Sequence, residues 1–519
     1  MTTGFQPLDE PIRSRRNHWV NQIATHAAMR PANVAFRFKG VDTTWLQLHE
    51  RSERFADALA RRGVGFGDRV LLLALNYTEY LEAVIGINAL GAIAVPVNFR
   101  LTPPEVAYIV GDSGAKAIVT DTLLQPLAAA VQAQAPDLAT CVVINGQSSE
   151  SAVGYDDFLA EAGEPHAPLD IPEDTPALIM YTSGTTGTPK GAVLSHANLN
   201  AQALTCIRAM EITPESIGFC TSPLFHIAGL GSLTPYFMLG GKTVLHPLGA
   251  FNATEYLDAI EAEQATTAFC VPVQWQLICE EPTVRERKLA LRSLCWGAAP
   301  ASNTVLQAMS DCFPDAFSVA VFGQTEMSPI TCVLEGRDAL TKIGSVGKPI
   351  PTIQARVVDD EMNDVEPGTV GEIVYRGPTM MQGYWNKPEA TAEAFHGGWF
   401  HSGDLVREDP EGFIYVVDRK KDMIISGGEN IYCAEVENVL FAHPKIHEAA
   451  VIGRAHEKWG EVPVAVVALV EGVDDLTLEE LTPFLNESLA RYKHPKDLVI
   501  VPELPRNASG KVLKVELRK

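Results

Sequence analysis

Apolar residues occur in short blocks separated by polar ones, and the spacing within the blocks changes along the chain. The most apolar region runs from Val70 to Val97, but Asn76, Glu79 and Asn88 interrupt it, so it is not a membrane span. The spacing predicts strands over 70–75, 92–96, 117–120, 140–144, 177–181 and 243–245, and helices over 79–90 and 253–263. Alternating strands and helices favour an α/β fold with largely parallel sheets covered by helices.

The pattern changes at the charged segment 418–422. Upstream of it, short strands are predicted over 371–376 and 412–417. Downstream, the predicted order is a helix over 434–440, strands over 449–452 and 464–469, and a helix over 478–490. We therefore predict a large N-terminal domain of helix-covered β-sheets over 1–418 and a small α+β C-terminal domain over 419–519. The segment 146–172, rich in Ser, Gly, Glu and Pro, is predicted to be a surface connection.

Length, charge and cysteine usage narrow the functional class. The 519 residues are too many for one compact core. A net charge of −23 argues against a general nucleic-acid binder, because the overall field repels phosphate. The nine cysteines are scattered without a CxxC pair, which disfavours a zinc cluster or a disulfide framework and favours a reducing cytoplasm. The first residues lack the pattern of a signal peptide. Peripheral membrane contact and oligomeric state stay open.

A strand that runs into a glycine-rich, hydroxyl-rich loop predicts a phosphate site. The apolar residues 177–181 lead into the loop 182–191, which also contains Lys190. Glycines let backbone N–H groups approach an anion, and hydroxyls and a lysine supply further donors. A flexible linker is the alternative, but linkers seldom follow a buried strand. The predicted ATP-binding residues here are Thr182, Ser183, Gly184, Thr185, Thr186, Gly187 and Lys190.

The segment from Tyr181 to Gly191 resembles the signature loop of the adenylate-forming superfamily, which includes acyl-CoA synthetases. The resemblance covers nearly the whole chain, because the other motifs of the family follow in order. It implies an ATP-dependent acyl-CoA synthetase. Such an enzyme activates a carboxylic acid as an acyl-adenylate with Mg²⁺ as cofactor, transfers the acyl group to CoA and releases AMP and pyrophosphate.

The resemblance also implies roles for residues of the larger domain. His226 is expected beside the substrate carboxylate, and Glu326 is expected to bind Mg²⁺ with help from Thr182. Phe322, which replaces the tyrosine usual in its motif, is expected to stack on the purine. The remaining residues expected around the nucleotide are Gly297, Ala298, Ala299, Pro300, Gly323, Gln324 and Thr325.

Towards the C-terminus, the resemblance assigns ribose contacts to Asp404 and Arg419. Lys421 is expected to be the hinge about which the C-terminal domain rotates between the two half-reactions. Gly427 and Gly428 are expected to line the path of CoA. Lys511 is expected to be the catalytic lysine of adenylation. Without the motif around it, a lysine so close to the C-terminus would more often serve only solubility.

The acid itself is the least determined part of the prediction. The residues expected to line the acyl pocket are Trp275, Ile227 and Gly229, and their surroundings are apolar. This favours a fatty or other hydrophobic acid over an amino acid, and it leaves aryl and sterol-derived acids open. An acyl-AMP ligase or a carrier-loading enzyme is the alternative to a CoA ligase. The compact run between Tyr384 and Trp399 disfavours the extra segment of fatty acyl-AMP ligases.

Overall fold

The computed structural model describes residues 15–163, 169–182, 189–297, 301–426, 429–506 and 512–518. The chain divides into two compact units. The first comprises 1–354 and 375–400, and the second comprises 355–374 and 401–519. The second unit therefore includes two segments upstream of the predicted domain boundary. A boundary between 418 and 419 stays a prediction.

The helices follow the predicted periodicity. The helix predicted over 79–90 is observed at 78–89, and the helix over 253–263 has the predicted limits. Among the described residues the helices are α1 Trp19–Met29, α2 Trp45–Arg61, α3 Thr78–Ala89, α4 Pro103–Ser113, α5 Gln125–Gln132, α6 Tyr155–Ala160, α7 His196–Met210, α8 Ile227–Leu239, α9 Ala253–Glu263, α10 Pro272–Glu280, α11 Asn303–Cys312, α12 Gly336–Ala339, α13 Pro388–Ala394, α14 Cys433–Phe441, α15 Leu478–Ser488 and α16 Lys514–Leu517.

Each predicted strand likewise coincides with an observed one, within a few residues at most ends, and further strands were not predicted. The described strands are β1 Val34–Phe38, β2 Val41–Thr44, β3 Arg69–Leu73, β4 Ile93–Pro96, β5 Ala117–Asp121, β6 Thr140–Ile144, β7 Val153–Gly154, β8 Pro176–Thr182, β9 Lys190–Ser195, β10 Ile217–Cys220, β11 Lys242–Leu245, β12 Thr267–Cys270, β13 Ser293–Gly297, β14 Phe317–Gly323, β15 Ile330–Leu334, β16 Lys348–Pro349, β17 Gln354–Val358, β18 Val370–Arg376, β19 Gly383–Tyr384, β20 Phe400–Glu408, β21 Ile414–Arg419, β22 Ile424–Ser426, β23 Glu429–Ile431, β24 Ile446–His456, β25 Gly460–Leu469 and β26 Asp497–Ile500.

Two large sheets make up the first unit. One has the strand order β16-β15-β14-β13-β12-β10-β11-β1-β2, and the other has the order β19-β9-β8-β4-β3-β5-β6-β7. Parallel pairing dominates the centre of each sheet, as between β12 and β13 and between β3 and β5. Antiparallel strands flank it, as between β8 and β9. The α/β class with helix-covered sheets is thus confirmed. Strands buried on both faces read as continuous apolar runs, which is why these strands were visible in the sequence.

The prediction of a surface connection over 146–172 is wrong for its middle part. Residues 153–154 form β7 at the sheet edge, and 155–160 form α6. Tyr155 and Phe158 of this helix are buried, and both rings lie within about 5.5 Å of the ring of Phe55 in α2. The small and polar residues on either side hid a short amphipathic helix, whose apolar residues recur at a spacing of three.

The second unit is built on smaller sheets. Strands β17, β18, β20 and β21 form one sheet, and β23, β22, β25 and β24 form another, with β26 parallel to β25. Helices α14 and α15 cover the second sheet, and their apolar residues share a core with its strands. That core includes Ile424, Ile431, Val436, Leu440, Val451, Val467, Leu481 and Leu485. Within the described ranges, no helix is both long enough and apolar enough to cross a bilayer.

Candidate active site

The predicted nucleotide residues of the first unit lie where parallel strands end. Thr182 ends β8, Gly297 ends β13 and Gly323 ends β14. In open α/β sheets, the crevice outside the carboxyl ends of the strands is the usual ligand site. Gly297 and Gly323 end neighbouring strands of one sheet, and Thr182 ends a strand of the other. The contact between Thr182 and Glu326 shows that these strand ends lie close together.

The two ends of the phosphate loop face each other across a strand pair. Thr182 in β8 is paired directly with Lys190 in β9, and the loop closes the hairpin between them. The pairing brings the hydroxyl at the start of the loop close to the lysine at its end. Five of the predicted loop residues lie outside the described residues, namely Ser183, Gly184, Thr185, Thr186 and Gly187.

Glu326 lies in a short 3₁₀ turn, Thr325–Met327, directly after β14. It is 9% exposed, and its Oε1 accepts hydrogen bonds from the hydroxyls of Thr182 at 3.4 Å and Tyr384 at 3.1 Å. Its backbone oxygen accepts a bond from the Met381 N–H at 2.8 Å. The structure thus brings together Glu326 and Thr182, the two residues predicted to bind Mg²⁺.

The chemistry of this pair fits magnesium. Carboxylate and hydroxyl oxygens are hard donors, and Mg²⁺ in nucleotide sites uses one or two carboxylates together with phosphate oxygens and water. Among the described residues, no cluster of three or more His, Cys, Asp or Glu side chains could hold a metal ion.

Tyr384 is a site residue that the sequence prediction missed. Its hydroxyl donates to Glu326, and Lys190 Nζ lies 5.2 Å from the centre of its ring. Burial, followed by the negative charge of Glu326, raises the pKa of the Tyr384 hydroxyl, so it remains a donor at neutral pH. Strand β19 brings Tyr384 to β9, where it pairs with Ala192. The only signal was its place in an aromatic pair, Tyr384-Trp385, at the start of the compact run that leads to Trp399.

The backbone around Gly323 needs a glycine. Its φ is +156°, and a Cβ at this position would overlap the backbone of Pro329 and Thr331. The Gln324 N–H donates to the Pro329 oxygen at 2.8 Å, which closes the turn that carries Thr325 and Glu326. Phe322, half-buried, precedes this turn in β14.

Gly297 also sits where a side chain would not fit, because a Cβ there would overlap the carbonyl oxygen of Val321. The close approach of β13 and β14 at this point therefore requires a glycine. The other residues predicted for that contact, Ala298, Ala299 and Pro300, lie outside the described residues.

His226 precedes helix α8, and an aromatic cluster surrounds it. Its ring centre lies 4.4 Å from that of Phe225, which in turn meets Phe99 edge to face at 5.1 Å. Burial, and to a lesser extent the charge of Arg100, lowers the pKa of His226 to about 4, so the imidazole is neutral at physiological pH. A neutral imidazole can donate one N–H to a substrate carboxylate without losing a proton.

Asn76 fixes the approach to this histidine and was not predicted. It follows β3 and is 2% exposed. Its side chain donates to the Ser222 oxygen at 3.0 Å and accepts from the Leu224 N–H at 2.9 Å. Asn76 thereby holds the segment that leads from β10 to His226. In the sequence it was visible only as an interruption of an apolar run.

The residues predicted for the acyl pocket have different surroundings. Ile227 and Gly229 are buried in the first turn of α8, and a Cβ at Gly229 would overlap the Pro223 carbonyl oxygen. Trp275 in α10 has no exposed surface, and its indole N–H donates to the Cys295 oxygen at 3.0 Å. Ile227 and Gly229 therefore lie in the helix turn that directly follows His226. Trp275 instead contacts β13 through its indole N–H.

In the second unit, Asp404 and Arg419 form a pair. They oppose each other across β20 and β21, and Arg419 Nε lies 2.6 Å from Asp404 Oδ1. Asp404 is 2% exposed, and its N–H donates to the Ser402 hydroxyl at 3.0 Å. The pairing holds the Asp404 carboxylate in place and shows that the two residues predicted at the ribose are direct neighbours.

Lys421, the predicted hinge, is exposed in the turn between β21 and β22. The Asp422 N–H donates to the Arg419 oxygen at 2.9 Å, and the Lys420 N–H donates to the Gly403 oxygen at 2.9 Å. Gly427, Gly428 and Lys511 lie outside the described residues.

The chain resembles known proteins over almost its full length. Residues 23–385 match the AMP-binding enzyme family, and residues 435–511 match the AMP-binding enzyme C-terminal domain. The feruloyl-CoA synthase of an Amycolatopsis species is 39% identical over 502 residues, covering 95% of this chain and 97% of that protein. The indoleacetate–CoA ligase of Aromatoleum aromaticum is 37% identical over 507 residues, covering 97% of both.

A solved structure shows the same fold. The o-succinylbenzoate coenzyme A synthetase of Bacillus subtilis, in complex with ATP and a magnesium ion, aligns with a TM-score of 0.85 at 32% identity. The alignment covers 96% of this chain and 99% of that one.

Proposed function

The chain belongs to the AMP-binding enzyme family and is an acid–CoA ligase of the adenylate-forming type, and we propose that its acid substrate is an aryl acid. The observation that carries the proposal is the likeness, over nearly the whole chain, to ligases named for ferulate and indoleacetate. The sequence alone favoured a fatty acid and left an aryl acid open. These two relatives favour an aryl acid over a fatty acid.

The proposed chemistry has two steps. The acid carboxylate attacks the α-phosphorus of ATP, so that an acyl O–P bond forms and pyrophosphate leaves. The CoA thiolate then attacks the acyl carbon, so that a thioester forms and AMP leaves. The first step brings two anions together, and the cost of their repulsion has to be offset by fixed positive charge and hydrogen-bond donors.

The described residues supply part of that environment. Lys190 supplies a cation at the end of the phosphate loop, and the Thr182 hydroxyl lies at its start. We propose that Mg²⁺, bound through Glu326, supplies charge neutralisation at the phosphates. The hydroxyl of Tyr384 holds the Glu326 carboxylate in one orientation, 3.1 Å away. For the ribose hydroxyls we propose Asp404, whose carboxylate Arg419 orients.

The surroundings of His226 support an aromatic substrate. Phe99, Phe225 and His226 form a chain of ring contacts with centres 4.4 and 5.1 Å apart. Aromatic rings prefer edge-to-face or offset contacts with other rings, each worth about 1 kcal/mol beyond the buried area. An aryl acid with its carboxylate at His226 could extend this chain of contacts, whereas an alkyl chain would gain only the buried area.

A panel of acids tests the proposal. Ferulate, indole-3-acetate, 2-succinylbenzoate and octanoate are compared at fixed ATP, Mg²⁺ and CoA by their kcat/KM for acyl-CoA formation. We expect at least one of the three aryl acids to exceed octanoate by roughly a hundredfold, the upper range of discrimination by an apolar pocket. A preference for octanoate would overturn the aryl assignment and leave the ligase assignment standing.

A variant pair links the preference to the site. Phe225→Leu should lower kcat/KM for the best aryl acid by roughly three- to tenfold, the worth of one aromatic contact, and should spare octanoate. Phe158→Leu is the control, because it removes the same ring from a fully buried position in α6. Equal effects of the two variants on the aryl acid would argue against ring contacts at Phe225.

The second candidate function is the loading of a carrier protein instead of free CoA. It keeps every residue of the adenylation site and changes only the acceptor. If CoA is the acceptor, sustained AMP release depends on CoA and saturates with it. AMP release that ignores CoA and responds to an added carrier protein would favour the second candidate.

A further inference from the structure

Asp112, at the C-terminal end of α4, receives an unusual number of hydrogen bonds. The Tyr181 hydroxyl donates to its Oδ2 at 2.7 Å, and Lys387 Nζ donates to its Oδ1. The Tyr108 hydroxyl lies 3.4 Å from the same Oδ1. The side chain of Asp112 is only 7% exposed, so these donors replace water around a buried carboxylate.

The backbone carbonyl of Asp112 accepts two further bonds. The indole N–H of Trp385 donates to it at 3.2 Å, and the side-chain amide of Asn386 donates at 3.1 Å. A carbonyl in the last turn of a helix lacks a partner within that helix, so it is free to bind groups from elsewhere. Asp112 therefore binds the segment 385–387 through both its own carboxylate and its own backbone carbonyl.

The groups that Asp112 binds lie at both ends of the phosphate loop. Tyr181 directly precedes Thr182, the first residue of that loop. The Tyr108 hydroxyl also lies 3.3 Å from the Pro189 oxygen, at the far end. The backbone N–H of Trp385 donates to the backbone oxygen of Gly191 at 2.7 Å. Asp112 thus connects the start of the loop with its end, through its carboxylate to Tyr181 and Lys387 and through its backbone carbonyl to Trp385.

The residues that Asp112 binds are next in the chain to those that contact the Glu326 carboxylate. Trp385 follows Tyr384, whose hydroxyl donates to Glu326, and Tyr181 precedes Thr182, whose hydroxyl also donates to it. Within the part of the chain that the structure describes, Asp112 makes no hydrogen bond with Glu326, Thr182 or Lys190. Its influence on them therefore passes through Tyr181 and the segment 384–387. The Asp112 carboxylate also raises the pKa of the Lys387 ammonium, which keeps that contact charged.

We propose that Asp112 is a positioning residue for nucleotide binding, which holds both ends of the loop 182–191 and Tyr384 in register with Glu326. The inference rests on the proposed function, in which this loop binds the ATP phosphates. Catalytic and binding groups misplaced by as little as 1 Å can lose up to about a hundredfold in rate or affinity. A network that fixes three segments at once would prevent such misplacement.

The test compares Asp112→Ala with a matched control, Asp57→Ala. Asp57 is also a buried carboxylate of the first unit; it pairs with Arg61 at 2.8 Å and accepts the Gly163 N–H at 2.7 Å. None of these partners belongs to the loop. Both variants should lose thermal stability, but only Asp112→Ala should weaken MgATP binding, measured by calorimetric titration, by about tenfold or more. Equal MgATP affinities in the two variants would overturn the inference.

If Asp112→Ala folds poorly, a second pair of substitutions tests the same proposal. Tyr181→Phe removes one donor at the start of the loop and leaves Asp112 in place. It should weaken MgATP binding by roughly threefold. In an Asp112→Val background, which offers no acceptor for the Tyr181 hydroxyl, it should have a much smaller effect, because the two act through one contact. Independent, additive effects of the two changes would contradict the proposal.

The half-reactions separate this inference from the proposed function. With supplied acyl-adenylate and CoA, Asp112→Asn should lose much less in thioester formation than it loses in pyrophosphate release from acid and ATP, which should need more ATP. An equal loss in both steps would show a general structural role and overturn the inference. If the wild-type protein released no pyrophosphate with any acid, the proposed function would fail, and this inference with it.

Discussion

At the scale of single residues, the candidate site depends on a few side chains with unusual surroundings. Glu326 is a buried carboxylate with two hydroxyl donors, and Lys190 Nζ lies 5.2 Å from the ring centre of its partner Tyr384. Gly323 has a backbone conformation that other residues rarely adopt. Each of these features leads to a substitution with a specific expected effect.

Glu326→Gln should leave the fold intact, because the side chains are nearly the same size. It should slow the ATP-dependent step by roughly a hundredfold, or about 3 kcal/mol, since the charged contact of this carboxylate with Mg²⁺ is lost. The measurement is pyrophosphate release as a function of Mg²⁺ concentration. Glu335→Gln, at a partly exposed glutamate paired with Arg208, is the control. Near-normal turnover of the Glu326 variant at limiting Mg²⁺ would refute the assignment.

Gly323→Ala should be costly because its Cβ would overlap the backbone of Pro329 and Thr331, which cannot move aside as a side chain could. We expect a loss of about 1–3 kcal/mol in the free energy of unfolding, together with weaker nucleotide binding through displacement of Glu326. Gly368→Ala separates the two causes, since Gly368 has φ +89° with open space around it. Its cost should be about 1 kcal/mol, with unchanged nucleotide binding.

At the scale of secondary-structure elements, two histidines join α1 to α7. His18 caps α1, His196 begins α7, and their ring centres lie 4.8 Å apart. Both are buried, at 2% and 1% exposed. Burial lowers the pKa of His196 well below 6.5, and the neighbouring His18 lowers it further. Burial also lowers the pKa of His18, although Glu173 and Asp170 oppose this shift and Arg16 adds to it.

This pair predicts a loss of stability in mild acid. Below about pH 6.5 the unfolded chain takes up protons that the folded protein resists, so the free energy of unfolding falls as pH falls. His196→Phe removes one of these groups and should reduce the drop in urea midpoint between about pH 7.5 and pH 5.5. The control is a substitution of the exposed His447, which should leave the drop unchanged. A wild-type pH dependence in His196→Phe would contradict the assignment.

At the scale of the whole molecule, the function predicted from the family resemblance needs two arrangements of the chain. The turn around Lys421 is where the resemblance places the change. In the structure its neighbours Lys420 and Asp422 donate backbone hydrogen bonds, each 2.9 Å long. A rotation of the C-terminal domain at this turn would have to change the backbone angles of residues that these two hydrogen bonds hold.

Lys421→Pro tests the hinge. Proline fixes φ near −65° and restricts the preceding residue, so it should trap the arrangement that tolerates this angle. We expect one half-reaction to survive in a single turnover while the other collapses. Single-turnover pyrophosphate release and thioester formation from supplied adenylate measure the two steps. Lys421→Ala keeps the backbone freedom and should be far milder. Equal, mild effects of the proline variant on both steps would mean that the chain does not turn here.

The sequence by itself determined the fold class and the order of the motifs. Buried strands and amphipathic helices leave a periodic pattern among residues that are close in the chain, so strands such as β6 and helices such as α9 were predictable. The phosphate loop and the Glu326 motif were recognisable because each is a short, continuous segment. Their adjacency in space did not follow from the order within one sheet, because the loop follows β8 of one sheet and Glu326 follows β14 of the other.

Only the tertiary structure decided which distant side chains support that site. Tyr384 lies 58 residues from Glu326, Tyr181 lies 69 from Asp112, and Lys387 lies 275 from Asp112. Contacts across such separations leave no periodic signal, because they depend on how strands pair and not on local spacing. Asp112 in particular looks like an ordinary polar residue at a helix end until the fold surrounds it with donors from three segments.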